Sequence, residues 1–403
     1  MLSANEKIVT VMERTLNLVD RRLVDHGRRV AYRVFRQLRP LETNDRTLRD
    51  ITVVALLHDI GAYKTEDVDN ILGFDSANYW GHSIYGYLFL KYFSPLGYLA
   101  PVVLFHHADV DKASALCKNH NYVASLINDS DTRAINGVQE PEDDYEAFGR
   151  LFVETPFIDD EIESYLRMIV YFIDFRSPQT LLHTFAASFV AERLAVHLGY
   201  GPLDVRRVCA GALLHDIGKM GTPIRILEST SNRLTEADMK VMKHHIVHSR
   251  EILSGCVPDD VFNMAVNHHE RLNGKGYPLG LDSSQLSETD GIVAVADLLS
   301  AMSVNRSYQA KKPKDEVVKI LQGMKANNLL HAVAIDAAVD CYNDIARSLE
   351  DRTRPVGILY DHIQAEYVRL HQLAARGAYE RLAEEALEDP FVCREFARKA
   401  FSG

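Results

Sequence analysis

The strongest constraint on this chain is that it contains itself twice. Leu56-Leu57-His58-Asp59-Ile60-Gly61 returns 157 residues later as Leu213-Leu214-His215-Asp216-Ile217-Gly218, and His26 returns as His183 at the same offset. His82 pairs with His245 at an offset of 163, and His106-His107 with His268-His269 at 162. Four landmarks in one order at nearly one spacing are hard to reach by chance, and an internal repeat sets the architecture before any local pattern is read. Two copies of one helical domain are expected.

The copies are not equal. Thirty residues separate His215 from His245, against 24 between His58 and His82, so Gly221 to Leu234 reads as an added loop. Asn273 to Pro278 follows the second His pair, where the first copy has only Ala108-Asp109-Val110-Asp111. Both additions flank candidate ligands, which points to chemistry kept in the second copy. Local patterns are helical. Val205, Val208, Cys209, Ala212 and Leu213 make a stripe ending at His215-Asp216, Thr235-Glu236-Ala237-Asp238 has the form of a capping box, and Gly291 to Ala301 reads as a helix with Asp297 embedded in it. The acidic, turn-rich stretch from Asn136 to Asp144 suggests a loop near the domain junction. Val317, Ile320, Leu321 and Met324, then Ile363, Tyr367, Leu370 and Ala374, suggest further helices. The expectation is an all-α protein: an N-terminal domain over residues 1–150, degenerate or regulatory; a catalytic domain over 151–320; and a C-terminal helical layer over 321–403 packing on the catalytic domain.

Composition narrows the partners. A length of 403 residues allows two domains with cores of their own. The formal net charge of -11 argues against a nucleic-acid polymer, whose binding needs clustered Lys and Arg, but not against a small phosphate ligand at a metal site. Cys117, Cys209, Cys256, Cys341 and Cys393 form no Cys-x-x-Cys pair and read as free thiols in a reducing compartment. Glu6, Lys7 and Glu13 interrupt the first apolar residues, so no signal-peptide core is expected there, and no apolar run is long enough for a membrane span. A cytoplasmic location without a membrane partner is the expectation.

Each candidate residue has an ordinary reading as well. A lone buried histidine is more often a hydrogen-bonded core residue than a ligand, and His120, His197 and His371 are given that reading. For His183, His215, His245, His268 and His269 the recurrence of the spacing favours metal ligation. Asp216, directly after a histidine at an apolar helix end, would be costly unpaired, and a cation removes that cost. Its carboxylate can bridge two ions. His244, His245 and His248 compete for one role, and alignment with His82 selects His245. Asp297 interrupts Ile292-Val293-Ala294-Val295-Ala296, and an aspartate in such a run wants a cation. Lys219 is either a surface lysine or, three residues past Asp216, a contact for a phosphate oxygen. Gly274, Gly276 and Pro278 are either a simple turn or a place where backbone approaches a ligand closely. This equipment suits metal-assisted hydrolysis of a phosphate ester. Histidine with carboxylate favours iron or manganese, with nickel, cobalt or zinc also compatible.

The string His-Asp-Ile-Gly-Lys at 215–219, His-His-Glu-Arg-Leu-Asn-Gly-Lys-Gly-Tyr-Pro at 268–278, and Asp297 followed by Arg306 and Tyr308 resembles the HD-GYP subgroup of the HD superfamily of metal-dependent phosphohydrolases. The likeness covers roughly Thr180 to Tyr308, while the first copy looks like a plain HD domain. It implies an all-α, tandem HD and HD-GYP protein hydrolysing a cyclic dinucleotide, cyclic di-GMP or 3′3′-cGAMP, to a linear 5′-phosphorylated dinucleotide and on to mononucleotides in some members. It further implies that His183, His215, Asp216, His245, His268, His269 and Asp297 hold two divalent ions. Asp216 and Lys219 would be catalytic, and Lys219, Gly276, Tyr277 and Arg306 would contact substrate. Gln179 stands where some members have a glutamate for a third metal, so two ions are expected. Ser249, Ser300, Ser307 and Gln309 replace the family's usual Gly, Asp, Pro and basic residue. Competing readings are a general HD nucleotidase acting on dNTPs and a non-catalytic HD signalling module. In the first copy, His26, His58, Asp59, His82, His106 and His107 persist, with Asp129 or Asp131 as a last ligand. That copy could bind metal, or serve as the surface for a homodimer or a signalling partner.

Overall fold

The computed structural model describes residues 5–42, 44–65, 80–108, 121–155, 159–176, 178–229, 233–303 and 311–387. Among them the regular elements are helices, and the one recorded β-bridge joins Asn273 to Asp282. Two compact units emerge: Ile8–Met168 together with the described residues from Leu359 on, and Ile169–Ile358.

The repeat survives as architecture. In the first unit, helices Arg21–Leu38 and Asp45–Leu56 pack together, and Arg21–Leu38 also packs on Asn121–Ile135. In the second, Pro178–His197 packs on Pro202–Leu214 and on Glu288–Ser303 in the same pattern. Caps set the helix starts. Asp20 accepts from the Arg22 amide, Asn44 accepts from the amides of Arg46 and Thr47, and Thr235 and Asp238 form the expected reciprocal box. Ser287 and Asp290 exchange backbone amides in the same way at the start of Glu288–Ser303. That helix is apolar nearly all round, with Ile292, Val293, Val295, Ala296 and Leu299 buried, as befits a central helix.

Gly61 and Gly218 explain the glycine of the repeated motif. In each, an added Cβ would run into the carbonyl oxygen of the middle histidine, His82 or His245, and come within 2.6 Å of the amide nitrogen of Gly86 or Ser249. The turn after each His-Asp pair therefore lies directly on the helix that carries the next histidine.

Two expectations about domain limits are corrected. The acidic stretch before Tyr145 is not a junction. Glu140 pairs with Arg33 and, at 2.8 Å, with Arg36, while Asp144 pairs with Arg39 at 2.8 Å. Phe148 of the next helix packs on Tyr32 and Phe35. The first unit thus runs to Met168 rather than 150. Nor does the segment 321–403 form one layer on the second domain: residues to Ile358 join the second unit, but Glu366 accepts from Tyr92 at 2.5 Å and Lys91 at 2.8 Å, and Tyr367 stacks on Tyr85 at 3.8 Å. Farther on, Trp80 stacks on Tyr379 and the Tyr87 hydroxyl donates to the Ala386 carbonyl. The expected loop 221–234 also contains a short helix, Ile224–Leu227.

A candidate metal centre in the second unit

Five elements converge on one cage. His183 comes from Pro178–His197, His215 and Asp216 from the end of Pro202–Leu214, His245 from the start of His245–Leu253, His268 and His269 from just past Asp259–Val266, and Asp297 from Glu288–Ser303. Asp216 sits in the middle. Its Oδ2 lies 3.1 Å from His215 Nε2 and 3.5 Å from His183 Nε2, and its Oδ1 lies 3.4 Å from His245 Nε2. Asp297 Oδ1 is 3.1 Å from His183 Nε2 and 3.7 Å from His215 Nε2. Two ligand groups result, His183-His215-Asp297 and His245-His268-His269, each with its ligand atoms within 4.8 Å of one another. The carboxylate of Asp216 faces both. All seven expected ligands are therefore brought together.

The ring nitrogens are sorted for metal. Nδ1 of His215, His245 and His268 faces a carbonyl oxygen, of Ala212, Met242 and Ala265, at 2.6–2.8 Å. A carbonyl only accepts, so Nδ1 carries the hydrogen and Nε2 turns a lone pair inward. Those three Nε2 atoms are buried and make no hydrogen bond, an arrangement that is costly for core residues and suited to a cation. Burial pushes His245 down to about 4 and His269 to about 3, and holds His268 well below its usual range. At neutral pH these rings are uncharged ligands. Burial also opposes charge on Asp216 and Asp297, but the surrounding imidazoles, with Lys219 beside Asp216, hold both carboxyls well below the ordinary carboxylate range. His215, resisted by burial, is raised by the Asp216 carboxylate. The cage thus gathers inward ring nitrogens around two ionised carboxylates, and divalent ions fit it.

Lys219 Nζ lies 2.5 Å from Asp216 Oδ2. His244 is exposed and meets His248 edge to face, and His248 Nδ1 points to the Gly218 carbonyl, so neither joins the cage. Ser300 places its hydroxyl 3.1 Å from His183 Nδ1, and Ser249 accepts the Gly218 amide at 3.0 Å. Both serines, departures from the family pattern, have structural work at the cage.

The loop after the His pair is organised by a residue the sequence did not single out. Glu270 is 1% exposed, and its two carboxylate oxygens accept the amides of Leu279 and Leu281 at 2.7 and 3.0 Å. The available signal was a carboxylate directly after the His pair, four residues before Gly274 and six before Gly276. Gly276 is needed because a Cβ there would collide with the backbone of Glu270 and Arg271. Its close approach is to the protein's own chain. Tyr277 packs its ring 4.8 Å from that of His269, and Lys243 Nζ lies 5.0 Å over it. Arg306, with Ser307, Tyr308 and Gln309, lies outside the described residues.

Residues 168–331 match the HD domain family. The 3′3′-cGAMP-specific phosphodiesterase 1 of Vibrio cholerae is 25% identical over 374 residues, covering 78% of this chain and 86% of that protein. The 3′3′-cGAMP-specific phosphodiesterase 3 of the same organism is 32% identical over 165 residues, 40% of this chain and 36% of its own length. A cyclic di-GMP phosphodiesterase of Thermotoga maritima is 34% identical over 154 residues, 38% of this chain and 42% of its own length. The chain spans most of the first relative and less than half of the other two. The cage of histidines and aspartates lies inside the matched segment, with the Gly276-Tyr277-Pro278 loop beside it, so residues 168–331 form an HD domain similar to those of the cyclic-dinucleotide phosphodiesterases named above.

Proposed function

We propose that the second unit is a metal-dependent phosphodiesterase that opens a cyclic dinucleotide, cyclic di-GMP or 3′3′-cGAMP, to a linear 5′-phosphorylated dinucleotide. The observation carrying this reading is the Asp216 carboxylate facing two separate ligand groups. Bound there, two divalent ions, iron or manganese in first preference, would activate water and offset charge on the phosphoryl oxygens. His183, His215 and Asp297 would hold one, and His245, His268 and His269 the other. Lys219 brings an ammonium to the edge of the cage, where it would neutralise a phosphoryl oxygen or protonate the departing ribose oxygen. Tyr277 and Lys243 give the rim an aromatic face and a positive charge, suited to a base and a phosphate. Glu270 holds the loop carrying Tyr277 in place, so the rim is set before substrate arrives.

The test is product chromatography after incubating iron- or manganese-loaded protein separately with cyclic di-GMP, 3′3′-cGAMP and a dNTP mixture. Linear dinucleotide from a cyclic substrate and no dNTP turnover is expected; hydrolysis of dNTPs alone would favour a general nucleotidase. Asp216→Ala should lose the second unit's metal and turnover together. Retained linearisation by that variant would remove Asp216 from the bridging role.

A further inference from the structure

We propose that the first unit holds its own pair of divalent ions, as a resident centre that supports the fold of that unit rather than a second hydrolytic site. The geometry repeats that of the second unit closely. Asp59 takes the central position, with Oδ2 3.3 Å from His58 Nε2 and 3.7 Å from His26 Nε2, and Oδ1 3.4 Å from both His82 Nε2 and His106 Nε2. One carboxylate again faces two groups, His26-His58-Asp59 and Asp59-His82-His106-His107.

The last ligand is Asp131. Its Oδ1 lies 2.9 Å from His26 Nε2 and 3.8 Å from His58 Nε2, within 0.2 Å of the distances from Asp297 to His183 and His215. Its other oxygen is 3.7 Å from His107 Nδ1. Asp129, the other candidate, is exposed and pairs with Arg133. The tautomers are set as in the second unit: Nδ1 of His58 and of His106 faces the carbonyl of Ala55 and of Val103 at 2.8 and 2.6 Å. Their Nε2 atoms, with Asp59 Oδ1, are buried and make no hydrogen bond. An apolar or water-satisfied core would not keep so many inward lone pairs at one point, and a pair of cations accounts for all of them.

Two differences separate this centre from a hydrolytic one. Ala62, fully buried, stands where the second unit has Lys219, so that position offers no ammonium to a phosphoryl oxygen or a leaving group. The Asp131 carboxylate is 2% exposed against 18% for Asp297, which leaves less access to the ions. Ions buried in this way stabilise the folded unit by binding it and not the unfolded chain.

The test is metal content by elemental analysis on the full chain purified from iron- or manganese-supplemented cells. About four ions per chain are expected for the unaltered protein and about two for Asp216→Ala, on two ions per cage. Asp131→Asn in the Asp216→Ala background should reduce that remainder, and Asp129→Asn should leave it unchanged. The Asp216→Ala protein should show no hydrolysis of bis(p-nitrophenyl) phosphate, and a chelator should lower its unfolding midpoint by several degrees, about 1–3 kcal/mol of linkage. An Asp216→Ala chain that is folded and metal-free would overturn the proposal while leaving the reading of the second unit intact. Hydrolysis by its remaining ions, or loss of them through Asp129→Asn and not Asp131→Asn, would overturn the resident role or the ligand set. Because Asp216→Ala alters only the second unit, a folding failure of first-unit variants does not block the measurement.

Discussion

Glu270 shows how a single carboxylate can shape a site it does not enter. It is buried, spends both oxygens on the amides of Leu279 and Leu281, and so pins the loop that places Tyr277 against His269. Glu270→Gln keeps the size but replaces one acceptor with a donor that meets another N–H. A loss of about 1–3 kcal/mol in urea unfolding is expected, with KM rising more than kcat falls, because the rim and not the cage is loosened. An unchanged KM would mean that Glu270 supports only the fold. Ser300 and Ser249 carry a related lesson. As departures from a family pattern they register only a replaced Asp and Gly, yet one hydroxyl meets Nδ1 of His183 and the other accepts the amide of Gly218. A substitution table registers the missing Asp or Gly; only the neighbouring ring or amide shows what the hydroxyl does.

Helix Glu236–Lys243 delivers the chain to His245, and its first turn depends on the Thr235-Asp238 box, with Arg225 also on Asp238 at 2.9 Å. Hydrogen bonds from the Thr235 hydroxyl and from Arg225 hold the Asp238 carboxyl below its ordinary value. Its folded pKa is depressed, so the stabilisation is fully present above the unfolded value of about 3.9 and is lost as pH falls through the lower folded value. Carbon-detected NMR should find Asp238 titrating low, and Thr235→Ala should move that midpoint upward while amides 236–238 exchange faster. An Asp238 midpoint at the unfolded value in the unaltered protein would contradict the box. The capping box was readable because capping is local chemistry within four residues. The helix 224–227 was not, because its neighbours Thr222 and Pro223 resemble loop residues and its burial of Ile226 and Leu227 is tertiary.

At the scale of the whole molecule, the two units divide the C-terminal helices between them. Glu366 is 4% exposed and binds Tyr92 and Lys91, and Tyr367, Tyr379 and Ala386 meet Tyr85, Trp80 and Tyr87. A chain ending at Ile358 strips these partners from the first unit. Hydrogen exchange should then lose protection over residues 80–93 while 178–197 and 202–214 keep theirs; the reverse pattern would contradict the division. None of the described helices is long and apolar enough to cross a membrane. By itself the sequence determined the helical class, the duplication, and the histidines and aspartates that meet in the second unit, because helical periodicity and motif spacing are short-range and the repeat tests each ligand against its copy. Only the tertiary structure placed Asp131 rather than Asp129 beside His26, revealed what Glu270 holds, moved the first boundary to Met168 and gave the described residues from Leu359 on to the first unit. Those outcomes depend on which buried groups meet across tens to hundreds of residues, and neither hydrophobic period nor residue type encodes that pairing.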